Sequence, residues 1–244
     1  MMYFSILHGH GTIGEQRNDL YMQNLNIKYT LDAVELARRL GCNTFVGAGS
    51  QAEYGRVEGV ISESTPARPE NGYGIAKLAA GQMSRILANQ YNIRHIWTRI
   101  FSVYGPYNDK STMIMQSISK MVKEKSSPEY TKGEQIWDYI YSKDVAEALY
   151  LIAEKGKANA TYCIAQGESK PLSWYINEIR NSIDKTIKLK LGAIPYATKQ
   201  VMNLQADISS LKKDTGFLPK YNFEQGIKET IKWYKESCGE NEEN

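Results

Sequence analysis

The sequence predicts an α/β fold in which a mostly parallel sheet is covered by helices on both faces, the doubly wound arrangement. Patterns typical of strands alternate with patterns typical of helices along most of the chain, which is the order that such sheets require. The 244 residues are 42% hydrophobic and 23% charged. That length and composition suit one large soluble domain, or one domain with a smaller lobe attached.

The first hundred residues predict three buried strands and two amphipathic helices. Between residues 19 and 40, leucine, isoleucine and valine recur at helical spacings, and Gly41 stands where a helix stop is expected. The segment 47–69 is rich in Gly, Ser and Pro and is predicted to be a loop. The predicted strands are 2–7, 44–46 and 96–101, and the predicted helices are 19–40 and 72–91.

The remaining residues continue the alternation with shorter elements. A closing amphipathic helix is predicted near the end of the chain, followed by a frayed tail at 238–244. The predicted strands are 136–141, 161–165 and 186–191, and the predicted helices are 112–123, 142–154, 172–183 and 223–234.

Composition argues against several classes of function. Thirty basic and 27 acidic side chains give a formal net charge of +3 without a long basic block, so a nucleic-acid partner is not expected. The N-terminal apolar run is too short and too interrupted for a signal peptide or a membrane span. Three cysteines without paired spacing indicate a reducing compartment, by default the cytoplasm. His8 and His10 form the one close histidine pair, and we predict no metal site.

Gly9, Gly11 and Gly14 match the GxGxxG pattern of a dinucleotide phosphate loop, and they follow a predicted strand. Such a loop should lead directly into a helix whose N-terminus faces the pyrophosphate, with an acidic residue ending the next strand. Here residues 15–19 intervene, and the next strand ends in Gly-Ala-Gly-Ser without a carboxylate. We therefore favour a flexible turn over a phosphate loop.

Tyr73 and Lys77 lie four residues apart on a predicted helix, so both heads can reach one cleft. A YxxxK pair alone is a weak signal, but two neighbouring segments strengthen it. Ser50 stands at the carboxyl end of a predicted strand, where doubly wound sheets bind ligands, and Arg99-Ile-Phe-Ser-Val-Tyr-Gly-Pro106 closes the next strand. The alternative role for Ser50 is that of a turn-forming hydroxyl.

These three segments, in this order, resemble the extended short-chain dehydrogenase/reductase family, which includes sugar-nucleotide epimerases, dehydratases and 4-keto reductases. Further segments share the resemblance: Trp137-Asp-Tyr-Ile-Tyr141, Lys143-Asp-Val-Ala-Glu147, Ala206-Asp207 and Gly216-Phe-Leu-Pro219. The resemblance implies a Rossmann-like sheet, truncated at its N-terminus, with a small C-terminal α/β lobe for the substrate. It places the remaining Rossmann-like domain in 1–107, with 135–155 and parts of 195–210 returning to it, and the lobe in 108–237.

The resemblance also assigns roles. Ser50, Tyr73 and Lys77 would be catalytic, with Tyr73 as the base and Ser50 bonded to the substrate oxygen. Its implied cofactor is NAD or NADP, and its implied partner is a nucleotide-sugar substrate within a homo-oligomer. The residues implied to contact the cofactor are Asn26, Tyr73, Lys77 and Phe101, and those implied to contact the substrate are Gln51, Ser102 and Trp137. Asn26 would steady Lys77.

A phenol has a pKa of ~10, and an ammonium about 4 Å away would lower it by roughly 3 units at an effective dielectric of ~20.

Three departures from the family narrow these expectations. The strand-helix units that carry the family's phosphate loop are absent from this sequence, so we expect weak NAD(P) affinity and an unpaired edge beside the first strand. Gln51 and Ala52 replace the acidic pair of dehydratases, which leaves 4-epimerisation or 4-keto reduction. Trp137 replaces an arginine that binds the diphosphate, a task left to Lys132 or Lys143. Trp137 would stack on a base or serve as a buried structural indole. The alternative function is a catalytically silent relative acting as a binding or assembly subunit.

Overall fold

A computed structural model of the chain describes residues 3–6 and 9–239. The chain forms two compact units. The first comprises Met1–Phe101, Ala146–Ala165 and Ala206–Leu218, and the second comprises Ser102–Val145, Gln166–Gln205 and Pro219–Asn244. The segments that return to the first unit are therefore 146–165 and 206–218, where the sequence analysis expected 135–155 and parts of 195–210.

Strands and helices alternate through the chain. Up to residue 101 the elements are β1 (Tyr3–Ile6), α1 (Leu20–Arg39), β2 (Thr44–Ser50), β3 (Val60–Ile61), α2 (Gly72–Gln90) and β4 (Arg94–Ile100), with 3₁₀ turns at Gly14–Asn18 and Gln51–Glu53. The remaining elements are β5 (Ser102–Tyr104), α3 (Met113–Lys123), β6 (Ile136–Trp137), β7 (Tyr139–Tyr141), α4 (Ser142–Lys155), β8 (Thr161–Ile164), β9 (Lys170–Pro171), α5 (Leu172–Ile183), β10 (Asn203–Ala206), α6 (Ser209–Thr215) and α7 (Phe223–Gly239).

The first unit contains a four-stranded sheet in the order β1-β2-β4-β8, in which every neighbouring pair is parallel. The α/β class and the parallel sheet predicted from the sequence are thereby confirmed. Small side chains let α1 and α2 pack closely against each other and against β2. The buried residues of this contact are Ala33, Val34, Ala37, Cys42, Phe45, Ala88 and Ile93.

The second unit is built around an aromatic core. Its strands form three pairs. β5 runs parallel to β7, and β6 pairs with β10 in parallel on one side and with β9 in antiparallel on the other. The ring of Phe223 packs against the rings of Tyr104 and Tyr175, with centroid separations of 4.9 and 4.7 Å. Helices α3, α5 and α7 supply the aliphatic residues around these rings.

Several boundaries differ from the sequence predictions for identifiable reasons. Strand β2 continues to Ser50 instead of ending at Val46, although Gly47 and Gly49 are poor strand formers. Those glycines are needed because a Cβ at either position would lie 2.2 Å from Trp97 or Glu53. The predicted strand at 136–141 is divided at Asp138, whose carboxylate accepts hydrogen bonds from the backbone N–H groups of residues 166 and 167.

Two further predictions were wrong. The segment 186–191 forms no strand, and its one ladder contact is an isolated bridge between Lys190 and Glu129. Of the predicted frayed tail at 238–244, residues 238 and 239 belong to helix α7, and residues 240–244 lie outside the described residues. Strand β3, inside the predicted loop 47–69, strands β5, β9 and β10, and helix α6 were not predicted, since each is short and lacks a clear period. Within the described residues, no helix combines the length and the apolar character needed to cross a bilayer.

Candidate active site

Ser50 occupies the carboxyl end of β2, in the interior of the parallel sheet between β1 and β4. Its side chain is buried, and its Oγ accepts a hydrogen bond of 3.2 Å from the N–H of Ala52. Its own N–H donates to Oε1 of Glu53 at 2.9 Å. Ser50 is thus the N-cap of the following 3₁₀ turn, and the turn-forming role considered from the sequence is real.

The first turn of α2 lies against this strand end because two glycines allow a close approach. A Cβ at Gly74 would lie 2.4 Å from the carbonyl oxygen of Ala52, and one at Gly72 would lie 3.0 Å from that of Arg17. The helix is capped by Asn71, whose Oδ1 accepts from the N–H of Gly74 at 2.9 Å. Side chains at these two positions would push α2, and Tyr73 with it, away from Ser50.

Tyr73 and Lys77 both point toward the end of β2. The Tyr73 phenol forms a side-chain hydrogen bond with Ser50. The Lys77 ammonium donates to the carbonyl of Ala48 at 2.6 Å and lies 5.9 Å from the centre of the Tyr73 ring. The structure therefore brings together the three side chains singled out as catalytic, all within the first unit.

The electrostatics of the pair differ from the expectation. Burial raises the pKa of Tyr73 above its usual value, the hydrogen bond with Ser50 and the charge of Arg17 act to lower it, and Glu53 adds to the increase. The pKa of Lys77 is lowered by burial and raised by Glu53. The predicted lowering of the Tyr73 pKa by Lys77 is not found, because burial outweighs the influences that lower it and the cation that acts on the phenol is Arg17. In the free chain the phenol holds its proton at neutral pH.

Two charged residues of the site were missed by the sequence analysis. Arg17, on the 3₁₀ turn Gly14–Asn18, places its guanidinium carbon 5.0 Å from the centre of the Tyr73 ring. Glu53 is completely buried and forms an ion pair of 2.8 Å with Arg99. Arg17 belongs to no motif, so no signal pointed to it. The Glu53 pair was predictable, because a carboxylate just after one parallel strand and a guanidinium near the end of the adjacent strand meet at one edge of the sheet.

Asn26 binds a backbone segment instead of steadying Lys77. Its Oδ1 accepts from the N–H of His10 at 2.9 Å, and its Nδ2 donates to the His10 carbonyl at 2.8 Å. Gln23 adds hydrogen bonds of 2.9 Å to the carbonyl of Gly11 and 3.2 Å to that of Gln16. The direct partner of Lys77 is Ala48.

The same contacts decide the role of the glycine-rich segment. Hydrogen bonds from Gln23 and Asn26 hold the backbone of residues 10, 11 and 16. The turn that the sequence analysis expected to be flexible is therefore held in place. Helix α1 begins only at Leu20, and the carboxylate of Asp19 caps it by accepting from the N–H of Met22 at 3.1 Å. An anion at this helix end would meet that carboxylate, which disfavours the phosphate-loop alternative.

The remaining predicted site residues fall into both units. Phe101 is buried in the first unit, where its N–H donates to the carbonyl of Ile164 at 3.0 Å, and half-buried Gln51 lies in the turn after Ser50. Ser102 and Trp137 belong to the second unit, where the indole N–H donates to the Ser102 hydroxyl at 2.8 Å. This bond and the packing of Trp137 against the aromatic core favour the structural role for the indole.

The lysines suggested for the diphosphate also lie in the second unit. Lys143 forms an ion pair of 2.6 Å with Glu229, and Lys132 is exposed. Throughout residues 3–6 and 9–239, no three side chains of His, Cys, Asp or Glu gather into a metal-binding group. His8, half of the histidine pair considered above, lies outside the described residues. Cys42 and Cys163 are buried free thiols.

Comparisons with known proteins identify similar sequences and folds. A sequence model of the NAD dependent epimerase/dehydratase family matches residues 6–165. The chain is 27% identical over 200 residues to a dTDP-glucose 4,6-dehydratase of Xanthomonas campestris pv. campestris, a match that covers 78% of this chain and 57% of the relative. A dTDP-glucose 4,6-dehydratase of Escherichia coli is 29% identical over 185 residues, which cover 72% of this chain and 51% of the relative. The chain thus spans little more than half the length of these relatives.

Among solved structures, a UDP-N-acetylglucosamine 4-epimerase of Methanobrevibacter ruminantium, in complex with UDP-N-acetylmuramic acid, has the same fold. It superposes with a TM-score of 0.88 at 24% identity, over 96% of this chain and 77% of that one.

Proposed function

Because this chain belongs to the NAD dependent epimerase/dehydratase family, we propose that it catalyses hydride transfer at C4 of a nucleotide-linked sugar, as a 4-epimerase or a 4-keto reductase. The observation that carries the proposal is the convergence of Ser50, Tyr73 and Lys77 at the carboxyl end of β2. In doubly wound sheets this edge is where ligands bind.

Each of the three side chains has a definite task. Tyr73 exchanges a proton with the sugar oxygen, and the Ser50 hydroxyl shares a hydrogen bond with that oxygen. Lys77 supplies positive charge beside the phenol while its bond to Ala48 fixes its position. NAD or NADP, when bound, supplies or accepts the hydride, and Asn26 and Phe101 would lie near it with Tyr73 and Lys77.

The protonation state of Tyr73 bears on the direction of the reaction. Burial raises the pKa of Tyr73, so the free chain presents a protonated phenol beside the Ser50 hydroxyl. A protonated phenol can donate at once to the alkoxide that forms when a keto sugar is reduced. Epimerisation begins with oxidation and needs the phenolate first, which requires additional positive charge near the phenol.

Dehydration is the least supported reaction of the family, although the curated relatives compared above are dTDP-glucose 4,6-dehydratases. Elimination of water needs an acid and a base beyond Tyr73. The two positions after Ser50 are Gln51 and Ala52, and neither side chain can transfer a proton at neutral pH. Ala52 is also buried, which leaves no room for a substrate contact there.

The residues described here fit the reacting end of the cofactor better than its pyrophosphate. Tyr73 and Lys77 present donors at the sheet edge, whereas in the segment Gly9–Gly14 the His10 N–H is bonded to Asn26, and the carbonyls of His10 and Gly11 are bonded to Asn26 and Gln23. We therefore expect weak NAD(P) binding by the 244-residue chain. Calorimetry measures this directly, and tight stoichiometric binding would refute it.

The second candidate function is that of a catalytically silent binding or assembly subunit. The hydrogen bonds that hold the glycine-rich segment favour it, because they disfavour a role of this segment as a phosphate loop. One assay distinguishes the two functions. The chain is mixed with NAD or NADP and with UDP-, CDP- and dTDP-linked sugars, and both reduced cofactor and sugar products are followed. We expect turnover that Tyr73→Phe abolishes and that Ser50→Ala reduces by about 100-fold. Absence of turnover by a chain with a native circular dichroism spectrum would favour the silent subunit.

We also propose a homo-oligomer that forms through α1 and α2. Exposed apolar side chains gather on these two helices, and such patches mark protein interfaces when they are contiguous. They are Leu25, Tyr29, Leu36, Ile75, Met83 and Ile86. Light scattering should show a dimer or larger species that Leu36→Glu dissociates, while Val60→Glu, at a more exposed site on β3, should not. A monomeric wild-type chain would contradict the proposal.

The buried free thiols Cys42 and Cys163 suit a reducing cytoplasm.

A further inference from the structure

Glu53 is a completely buried carboxylate directly behind Ser50, in the first unit. Its Oε1 accepts from the N–H of Ser50 at 2.9 Å and from the indole N–H of Trp97 at 3.1 Å. Its Oε2 accepts from Nε of Arg99 at 2.8 Å. Burial of a charge is costly unless it is paired and hydrogen-bonded, and here three donors meet that requirement.

The surrounding chain is shaped to hold this carboxylate. A Cβ at Gly49 would lie 2.2 Å from Oε1 of Glu53, so the strand can pass the carboxylate only with glycine at this position. The indole of Trp97 fits because Gly81 of α2 leaves space for it, since a Cβ there would lie 2.6 Å from the ring. The guanidinium of Arg99 in turn lies 4.4 Å from the centre of the Tyr54 ring. Residues of β2, α2 and β4 therefore all make room for one ion pair.

Glu53 also acts on the two titratable side chains of the site. Burial is the larger influence on both, raising the pKa of Tyr73 and lowering that of Lys77, and the charge of Glu53 raises both. Arg17 is the other charged group that acts on Tyr73, and it lowers the pKa of the phenol. Arg99 faces Glu53 from β4. Glu53 is thus the one carboxylate that acts on both members of the Tyr73–Lys77 pair within the described residues.

We infer that Glu53 is a positioning residue of this site, which fixes the backbone of Ser50 at the end of β2 and places a buried negative charge behind the Ser50–Tyr73–Lys77 group. The inference rests on the proposed function, because it assigns Glu53 a task at the Ser50–Tyr73–Lys77 site. A purely structural role is the competing explanation, since Glu53 completes the capping box of the 3₁₀ turn.

The two explanations differ in what they predict for Lys77. A capping residue affects stability, whereas a nearby charge also changes the pH at which Lys77 titrates. Glu53→Gln retains the size of the side chain and an oxygen that can accept from Ser50, but it removes the charge. The Lys77 midpoint is measurable without turnover, by NMR titration of ¹³Cε-labelled lysine with the Lys77 signal assigned from Lys77→Met.

We expect Glu53→Gln to lower the Lys77 midpoint by on the order of half a pH unit or more. Glu70→Gln is the matched control, because Glu70 also pairs with an arginine, Arg56 at 2.8 Å, but at an exposed site. It should leave the Lys77 midpoint unchanged. An unchanged midpoint in folded Glu53→Gln would overturn the inference.

Loss of the Glu53 charge alone leaves the Arg99 guanidinium buried without an anion, which destabilises the single variant. The double variant Glu53→Gln with Arg99→Gln leaves neither charge unpaired. Because it also removes the repulsive charge of Arg99, it is expected to lower the Lys77 midpoint by less than Glu53→Gln does. If the midpoint shifts but the wild-type chain shows no turnover with any nucleotide sugar, the proposed function fails while the effect of Glu53 on Lys77 stands. If turnover is present and the midpoint does not shift, the proposed function stands and the role of Glu53 is structural.

Discussion

The Lys77 ammonium donates a 2.6 Å hydrogen bond to the carbonyl of Ala48, two residues before Ser50 on the same strand. This bond joins the helix that carries Tyr73 to the strand that carries Ser50. It also holds the cation 5.9 Å from the centre of the Tyr73 ring. The distance between Lys77 and Tyr73 is therefore set by a backbone carbonyl.

Lys77→Met should separate the contribution of this bond to activity from its contribution to stability. The variant removes the cation, so we expect turnover to fall by about 100-fold or more. Burial already lowers the pKa of Lys77, which means that the charged form is costly inside the fold. The free energy of unfolding in urea should accordingly be unchanged or higher. Lys77→Arg tests whether charge suffices, and recovery of full turnover by it would contradict a specific role for the Ala48 bond.

Asn26→Ala should loosen the segment that Asn26 holds. Loss of the two hydrogen bonds to the His10 backbone should lower the free energy of unfolding by about 1–3 kcal/mol. Amide hydrogen exchange at His10 should accelerate. Asn24→Ala, on the exposed side of the same helix, is the control and should change neither measurement. Equal exchange rates in the two variants would show that Asn26 does not hold the segment.

His95 should make the first unit sensitive to acid. The ring is buried between Phe45 and Trp97, bonds the Ser84 hydroxyl at 2.9 Å, and has its pKa lowered by burial and by Arg85 to about 4. In the unfolded chain the pKa is ~6.5, so between these values the unfolded state binds a proton that the native state does not. Stability should therefore fall as the pH decreases from about 6.5 to 4.

Urea unfolding at pH 7 and pH 4.5 measures this dependence. His95→Gln should lose less stability between the two pH values than the wild type does. His10→Gln, at an exposed position, should behave like the wild type. An equal loss in His95→Gln and the wild type would refute a contribution from His95.

Asp138 should have the opposite effect in the second unit. Burial raises the pKa of its carboxyl group to about 7, although the N–H groups of Gln166 and Gly167 act in the other direction. The unfolded value is ~3.9, so between these values the native state binds the additional proton. Stability should decrease as the pH rises from about 4 to 7. Asp138→Asn keeps an acceptor oxygen for one of the two N–H groups and has no proton to bind, so it should remove this decrease, whereas exposed Asp109→Asn should not. Persistence of the decrease in Asp138→Asn would exclude Asp138 as its source.

The elements best predicted from the sequence were those with a strong period and clear end signals. Helix α5 was predicted with the bounds that the structure gives, and α1 and α2 within one residue at each end. Strand β2 was predicted too short because Gly47 and Gly49 disfavour strands locally. Glycine is required at both positions because the side chains of Trp97 and Glu53 leave no space for a Cβ. These side chains lie close to the glycines only in the folded chain. Local propensity contains no information about such distant neighbours.

The candidate site shows the same division. Ser50, Tyr73 and Lys77 could be selected from the sequence because the four-residue spacing and the strand end are local features, and family membership is equally a property of the sequence. The hydrogen bond of Lys77 to Ala48, the position of Arg17 over Tyr73 and the burial of Glu53 were decided only by the tertiary structure. A pKa depends on burial and on charges that are distant along the chain, so the raised value of Tyr73 followed from the packing of α2 against β2 and from no motif.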